Sequence, residues 1–183
     1  MERHTAGCGY MTVLPRDAFL SVVAKTPLVS IDLLLQRPDG AVLLGYRRNR
    51  PAEGFWFVPG GRVGKDERLL DALGRIVRRE LGDQVPLTGW LPSGVYEHFY
   101  EDNFAGEPGV GTHYVVLAHR LCLVSADPVM TPDDQHEALR WFPVAELLGR
   151  DDVHPYTKAY FRGGAELGGA GGFAGATDCR DGR

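Results

Sequence analysis

The chain has 183 residues, of which 44% are hydrophobic and 24% charged, which is enough apolar material for one ordinary domain. The net charge of −4 leaves no basic excess to release counterions from nucleic acid or an anionic membrane, and no apolar run nears the roughly 20 residues of a membrane span. Residues 1–10 lack the apolar core of a signal peptide, and Cys8, Cys122 and Cys179 are too few and too scattered for a disulfide framework or a zinc site, a pattern that fits a reducing cytoplasm.

In chain order, residues 1–12 read as a flexible N-terminus. A short helix follows Pro15 over Arg16 to Lys25. Leu28 to Gln36, rich in leucine and β-branched residues, is a strand; Pro38-Asp39-Gly40 turns it into a second strand, Ala41 to Tyr46. Phe55 to Val58 is a short strand ending at a Gly60-Gly61 turn. Asp66 to Leu81 is the clearest helix, with Leu70, Leu73, Val77 and Leu81 on one stripe, widened by Leu69 and Ile76, and with Gly82 as its C-cap. Val85 to Tyr100 and Thr112 to Val124 read as long strands around a Gly/Pro loop. Arg140 to Phe142 is a short strand, Val144 to Leu148 a helical turn or two, and Thr157 to Phe161 a last helix. Residues 163–183 hold eight of the 24 glycines and no apolar periodicity, which predicts a disordered tail beyond a domain spanning 13–162. Strands and helices mix without regular βαβ alternation, so the expected class is α+β.

The chemistry gathers around Gly60-Gly61-Arg62 and the helix behind it. Glycines let a ligand approach the backbone closely, and a carboxylate at Glu80 could hold a hard divalent cation through oxygen. On the helix alone, an amphipathic helix with surface charges and a Gly-Gly turn is the favoured reading. Asp32 stands out, because a carboxylate in an apolar strand is costly to bury without partners.

The spacing Gly61-x5-Glu67-x7-Arg75, then Glu80-x-Gly82, resembles the Nudix box, with Ile76 and Arg79 standing where the box has glutamates and Asp83 where it has an apolar residue. The fold this implies is an α/β/α sandwich, a mixed sheet flanked by helices. Over roughly Leu14 to Phe161 the chain further resembles the GDP-mannose mannosyl hydrolase subfamily, through Leu14-Pro15-Arg16-Asp17-Ala18-Phe19, Thr26-Pro27-Leu28-Val29-Ser30-Ile31-Asp32, Gly54-Phe55-Trp56-Phe57-Val58-Pro59-Gly60-Gly61-Arg62 and Pro132-Asp133-Asp134-Gln135-His136. That subfamily lacks the same two glutamates.

The resemblance implies Mg²⁺-dependent hydrolysis of GDP-mannose, with GDP-glucose as a second substrate, by water attack at the anomeric carbon with inversion. It implies His136 as general base; Arg47, Arg62 and Tyr114 holding the diphosphate and stabilising its developing charge; and Asp32 and His98 at the sugar. Gly60, through its carbonyl, Glu80 and Gln135 would ligate Mg²⁺, with Mn²⁺ an alternative by ligand type. Glu67 and Arg75 are expected to pair structurally, and the subfamily's members imply a homodimer. Two other readings stay open: a Nudix pyrophosphohydrolase cleaving the P–O–P bond of a nucleotide sugar, and a non-catalytic nucleotide-sugar sensor.

Overall fold

A computed structural model describes residues 14–124 and 136–162. Its elements are α1 (Arg16–Val23), β1 (Leu28–Gln36), β2 (Val42–Arg47), β3 (Trp56–Phe57), β4 (Gly60–Arg62), α2 (Leu69–Leu81), β5 (Leu91–Tyr100), β6 (Thr112–Cys122), β7 (His136–Phe142), α3 (Val144–Gly149) and α4 (Pro155–Ala159). The expected termini, 1–12 and 163–183, lie outside the described residues, as does Gln135. Among the described residues no helix is long and apolar enough to cross a membrane.

β1 is the centre of a mixed sheet. On one side it runs parallel to β6, from Leu28 beside Tyr114 to Gln36 beside Cys122, and β6 pairs antiparallel with β5. On its other side β1 is shared. Its first half pairs with β4, Ser30 opposite Arg62 and Asp32 opposite Gly60, while its last residue, Gln36, pairs with Val42 of β2. β2 in turn carries β3 and β7. Helices cover both faces, which is why β1 is buried almost continuously rather than in alternation. Ile31, Leu33 and Leu35 pack with Leu73, Ile76 and Val77 of α2 on one face; Leu34, Val42 and Leu44 pack with Leu147 and Tyr160 on the other. This is the expected α+β sandwich.

Several boundaries differ from expectation. α2 begins at Leu69, not Asp66, because residues 64–67 form a turn in which Asp66 has φ 62° and the Gly64 N–H donates to Glu67 Oε2 at 2.8 Å. Leu69 and Leu70 are exposed, at 49% and 81%, so the buried face is Ala72, Leu73, Ile76, Val77, Glu80 and Leu81. Gly82 does terminate the helix, with φ 80° and its N–H on Arg78 O. β5 starts at Leu91 rather than Val85, because Gly89 at φ 86° and the Trp90 Nε1 bond to Pro86 O close a loop first. β7 reaches back to His136, four residues before the predicted Arg140.

The largest correction is β4. The glycines expected to form a turn are a strand, and the absence of side chains is what admits it. A Cβ at Gly60 would stand 2.7 Å from both Asp32 Oδ1 and Ile31 O, and one at Gly61 would stand 3.1 Å from Ile76 Cγ1. The two glycines let β4 lie against β1 and let α2 close over it.

Candidate active site

At the end of the sheet where β1, β2, β4, β5 and β6 converge lies a cavity of about 300 Å³. It is lined by Asp32, Arg47, Gly60, Arg62, His98 and Tyr114, all of them expected site residues, and by Glu80 from α2. The convergence follows from register. Asp32 sits beside Gly60 across β1–β4, and His98 sits beside Tyr114 across β5–β6.

Asp32 is 7% exposed. The Tyr160 hydroxyl donates to its Oδ2 at 2.6 Å and lies 3.1 Å from His98 Nε2. Burial pushes the Asp32 carboxyl up from 3.8 to about 7, against the opposing pull of the Tyr160 hydrogen bond and of Arg47. Burial, with the nearby His154, pushes His98 down to about 3, so its imidazole is neutral. His98 is fully buried rather than the half-buried strand histidine that its sequence position suggests, and it stacks on Tyr156 at 4.2 Å between ring centroids.

Among the described residues, Arg47 and Arg62 are seated on aromatic rings and form no ion pair with a carboxylate. Arg62 lies 3.9 Å from the centroid of Phe19, a residue of α1, and Arg47 lies 5.9 Å from that of Phe57 while donating from Nε to Pro51 O. Tyr114 lines the same wall. Its phenol is pushed up by burial, a shift that Arg62 and Arg47 oppose, and it stays a protonated donor at neutral pH.

The box residues separate into scaffold and site. Arg75 donates to both oxygens of Glu67, from Nε at 2.7 Å and from a terminal nitrogen at 2.8 Å, and also to Arg62 O at 2.8 Å. This pair ties the turn after β4 to α2, as expected. Ile76 is 1% exposed and packs against Gly61, so the position where the box has a carboxylate is core. Arg79 lines the cavity with its Nε 3.6 Å from Glu80 Oε1. Glu80, 2% exposed, is the carboxylate that α2 gives to the cavity.

The backbone of His136 pairs with Arg47 across β2–β7, which sets this position next to a cavity-lining residue; its side chain, like all of Gln135, lies outside the described residues. Three contributors escaped sequence reasoning. Phe19 and Phe104 pack together at 4.7 Å and line the cavity. Tyr160 joins His98 to Asp32, which lies 128 residues before it in sequence. The only signal for it is a pair of tyrosines spaced four apart, Tyr156 on the short helix α4 and Tyr160 at its C-cap.

A NUDIX domain model matches residues 26–162. The chain belongs to the Nudix family. Low-salt glycan biosynthesis protein Agl8 of Haloferax volcanii is 42% identical over 151 residues, covering 81% of this chain and 89% of that protein. Among solved structures, the MutT NUDIX hydrolase from Burkholderia pseudomallei is 25% identical with a TM-score of 0.53, covering 74% of this chain and 96% of that one. The MutT protein from Methanosarcina mazei Go1 has a TM-score of 0.56 at 22% identity, covers 75% of this chain and 92% of that one, and speaks to the fold alone. Membership supports a hydrolase, and Nudix hydrolases generally use divalent metals such as Mg²⁺ or Mn²⁺. Among the donors this Nudix cavity offers from its described residues, the Glu80 carboxylate and the Gly60 backbone carbonyl are hard oxygens. Among those residues no cluster of three or more His, Cys, Asp or Glu forms a site. Such donors suit a hard divalent cation.

Proposed function

We propose that the protein is a Mg²⁺-dependent hydrolase that splits GDP-mannose, and GDP-glucose as a second substrate, into GDP and free sugar. The observation that carries this reading is the single carboxylate that α2 turns to the cavity, with Ile76 in the core and Arg79 beside Glu80. Cleavage at carbon makes lighter demands on metal than displacement at phosphorus does, because GDP is already a good leaving group. Asp32 adds a second argument. Its oxygens suit a sugar hydroxyl, whereas a buried carboxylate would repel a phosphate. The name of the 42%-identical relative, a glycan biosynthesis protein, agrees with an activated-sugar substrate.

The residues then divide the work. Asp32 accepts a sugar hydroxyl and His98 supports it, which sets the anomeric carbon. Arg47 and Arg62 clamp the diphosphate through their planar donor forks. A water attacks the anomeric carbon from the face opposite GDP, and its proton passes to His136, since an imidazole can act as a general base. The C–O bond to GDP breaks with its electron pair on the diphosphate oxygen, which Arg47, Arg62 and a hydrogen bond from Tyr114 stabilise. Bound Mg²⁺, held by Glu80, the Gly60 carbonyl and Gln135, would add further charge stabilisation on the diphosphate. We place the enzyme as a homodimer, which sedimentation tests.

Product chromatography after incubation with GDP-mannose and Mg²⁺ tests the reaction. GDP and mannose are expected, with the first-formed anomer inverted by NMR. GMP and mannose 1-phosphate would assign a pyrophosphohydrolase, and binding without turnover under any divalent metal would assign a sensor.

A further inference from the structure

Tyr160 lies just past the end of α4, is 5% exposed, and is not among the cavity-lining residues, whereas both groups its hydroxyl touches are. Its ring is wedged edge-on against Tyr96 with centroids 4.6 Å apart. The helix that carries it is tied to β5 through Tyr156, whose hydroxyl donates to Phe99 O at 2.8 Å and accepts from Phe99 N–H at 2.9 Å. The Tyr160 hydroxyl is therefore fixed in space by two elements.

A hydroxyl carries one proton. Here it goes to Asp32 Oδ2 at 2.6 Å. The 3.1 Å contact with His98 Nε2 can then be a hydrogen bond only if the neutral imidazole donates from Nε2, which leaves Nδ1 bare. A directed chain results, from His98 Nε2–H to Tyr160 Oη–H to Asp32 Oδ2. It leaves Asp32 Oδ1, the oxygen beside Gly60, to receive a ligand. A phenylalanine would fill the same apolar space and provide none of this.

We infer that Tyr160 is a positioning residue for sugar recognition: its hydroxyl fixes the orientation of the Asp32 carboxylate and the tautomer of His98 without touching the substrate. The inference rests on the sugar-site reading of Asp32 given above. Its signature is selectivity. Losing the hydroxyl loosens the sugar end of the site and leaves the diphosphate end, Arg47 and Arg62, intact.

The test uses Tyr160→Phe in the full chain. Assayed above pH 7, where the Asp32 carboxyl is ionised, removing this hydrogen bond to a charged group is expected to raise KM for GDP-mannose about tenfold. The inhibition constant of GDP should move by less than about twofold, because GDP makes no sugar contact. In an Asp32→Asn background the same substitution should add less than about twofold, since the two act as one unit. An equal loss of GDP affinity, or full additivity with Asp32→Asn, would overturn the inference. A second measurement needs no variant and no substrate. Long-range ¹H–¹⁵N correlation on the labelled wild-type protein should show His98 protonated at Nε2, and protonation at Nδ1 would sink the proposal. A wild-type protein inert toward GDP-mannose refutes the proposed function, and the tautomer then decides the role of Tyr160 alone.

Discussion

Asp32→Asn separates the cost of an ionised carboxylate from the geometry that surrounds it. In the folded protein the Asp32 carboxyl stands at about 7 against an ordinary 3.8, so the native state binds this proton more tightly than the unfolded chain does. The stability it contributes is fully present below about pH 3.8 and is lost as the pH rises through 7. At ~1.36 kcal/mol for each pH unit of difference, the loss reaches at most about 4 kcal/mol. Two histidines act in the opposite sense. His98, lowered to about 3, and His154, lowered to about 4, are neutral when folded, so their contribution is full above pH 6.5 and falls as the solution is acidified. The wild-type curve therefore hides the Asp32 slope, and the difference between variant and wild type exposes it. Asparagine keeps an oxygen for the Tyr160 hydroxyl and carries no charge. The variant's stability relative to wild type should climb by about 2–4 kcal/mol between pH 4 and pH 8. Urea unfolding without added metal, followed by tryptophan fluorescence at several pH values, measures this. A difference that does not change with pH would mean that Asp32 is not held in its neutral form by burial, and the account of the cavity floor would fail with it.

Gly60→Ala places a methyl group 2.7 Å from Asp32 Oδ1 and from Ile31 O, so β4 must move; a loss of about 1–3 kcal/mol by urea unfolding is expected, together with reduced activity. Glu80→Gln keeps the shape of the side chain and removes the helix carboxylate from the cavity. Turnover should fall by about a hundredfold or more, and Mn²⁺ affinity, followed by electron paramagnetic resonance, should weaken with it. His136→Gln should lower kcat by about 10²-fold or more with KM little changed, whereas Arg47→Gln should raise KM and lower kcat together; steady-state kinetics on GDP-mannose distinguishes the two.

How much was legible depended on whether a signal is local. The bounds of β1 coincide with the predicted Leu28 to Gln36, because an apolar run between Pro27 and Pro38 needs no tertiary information. Asp32 announced itself as a charge inside that run. The α2 stripe was legible too, but periodicity cannot say where a helix outruns the sheet beneath it, and so Leu69 and Leu70 fit the predicted stripe yet stand exposed. β4 was invisible for a different reason. A strand of two glycines and an arginine has no side-chain alternation, and it exists only because β1 leaves a groove that no Cβ could enter. Tyr160 was beyond reach because its partners come from β1 and β5, and its one local mark, Tyr156 four residues earlier, does not point to either.

Only three of the 20 basic residues are lysine, and this arginine preference has a physical account in the cavity. Five arginines line it: Arg47, Arg50, Arg62, Arg75 and Arg79. Arg75 is neutralised by Glu67, Arg79 sits beside Glu80, and Arg50 lies 3.5 Å from Glu53 and 3.8 Å from Asp102. Arg47 and Arg62 instead rest on aromatic rings, and among the described residues neither forms an ion pair with a carboxylate. A ring face orients a guanidinium without cancelling its charge, whereas a carboxylate does both. Lysine, a compact and strongly hydrated charge on a flexible stem, would gain less from such a seat. These two cations are therefore held in place with their charge still available to a ligand. A net charge of −4 spread over the whole chain is consistent with two such positive points concentrated in one cavity, and two fixed guanidinium forks suit a diphosphate better than they suit a neutral sugar.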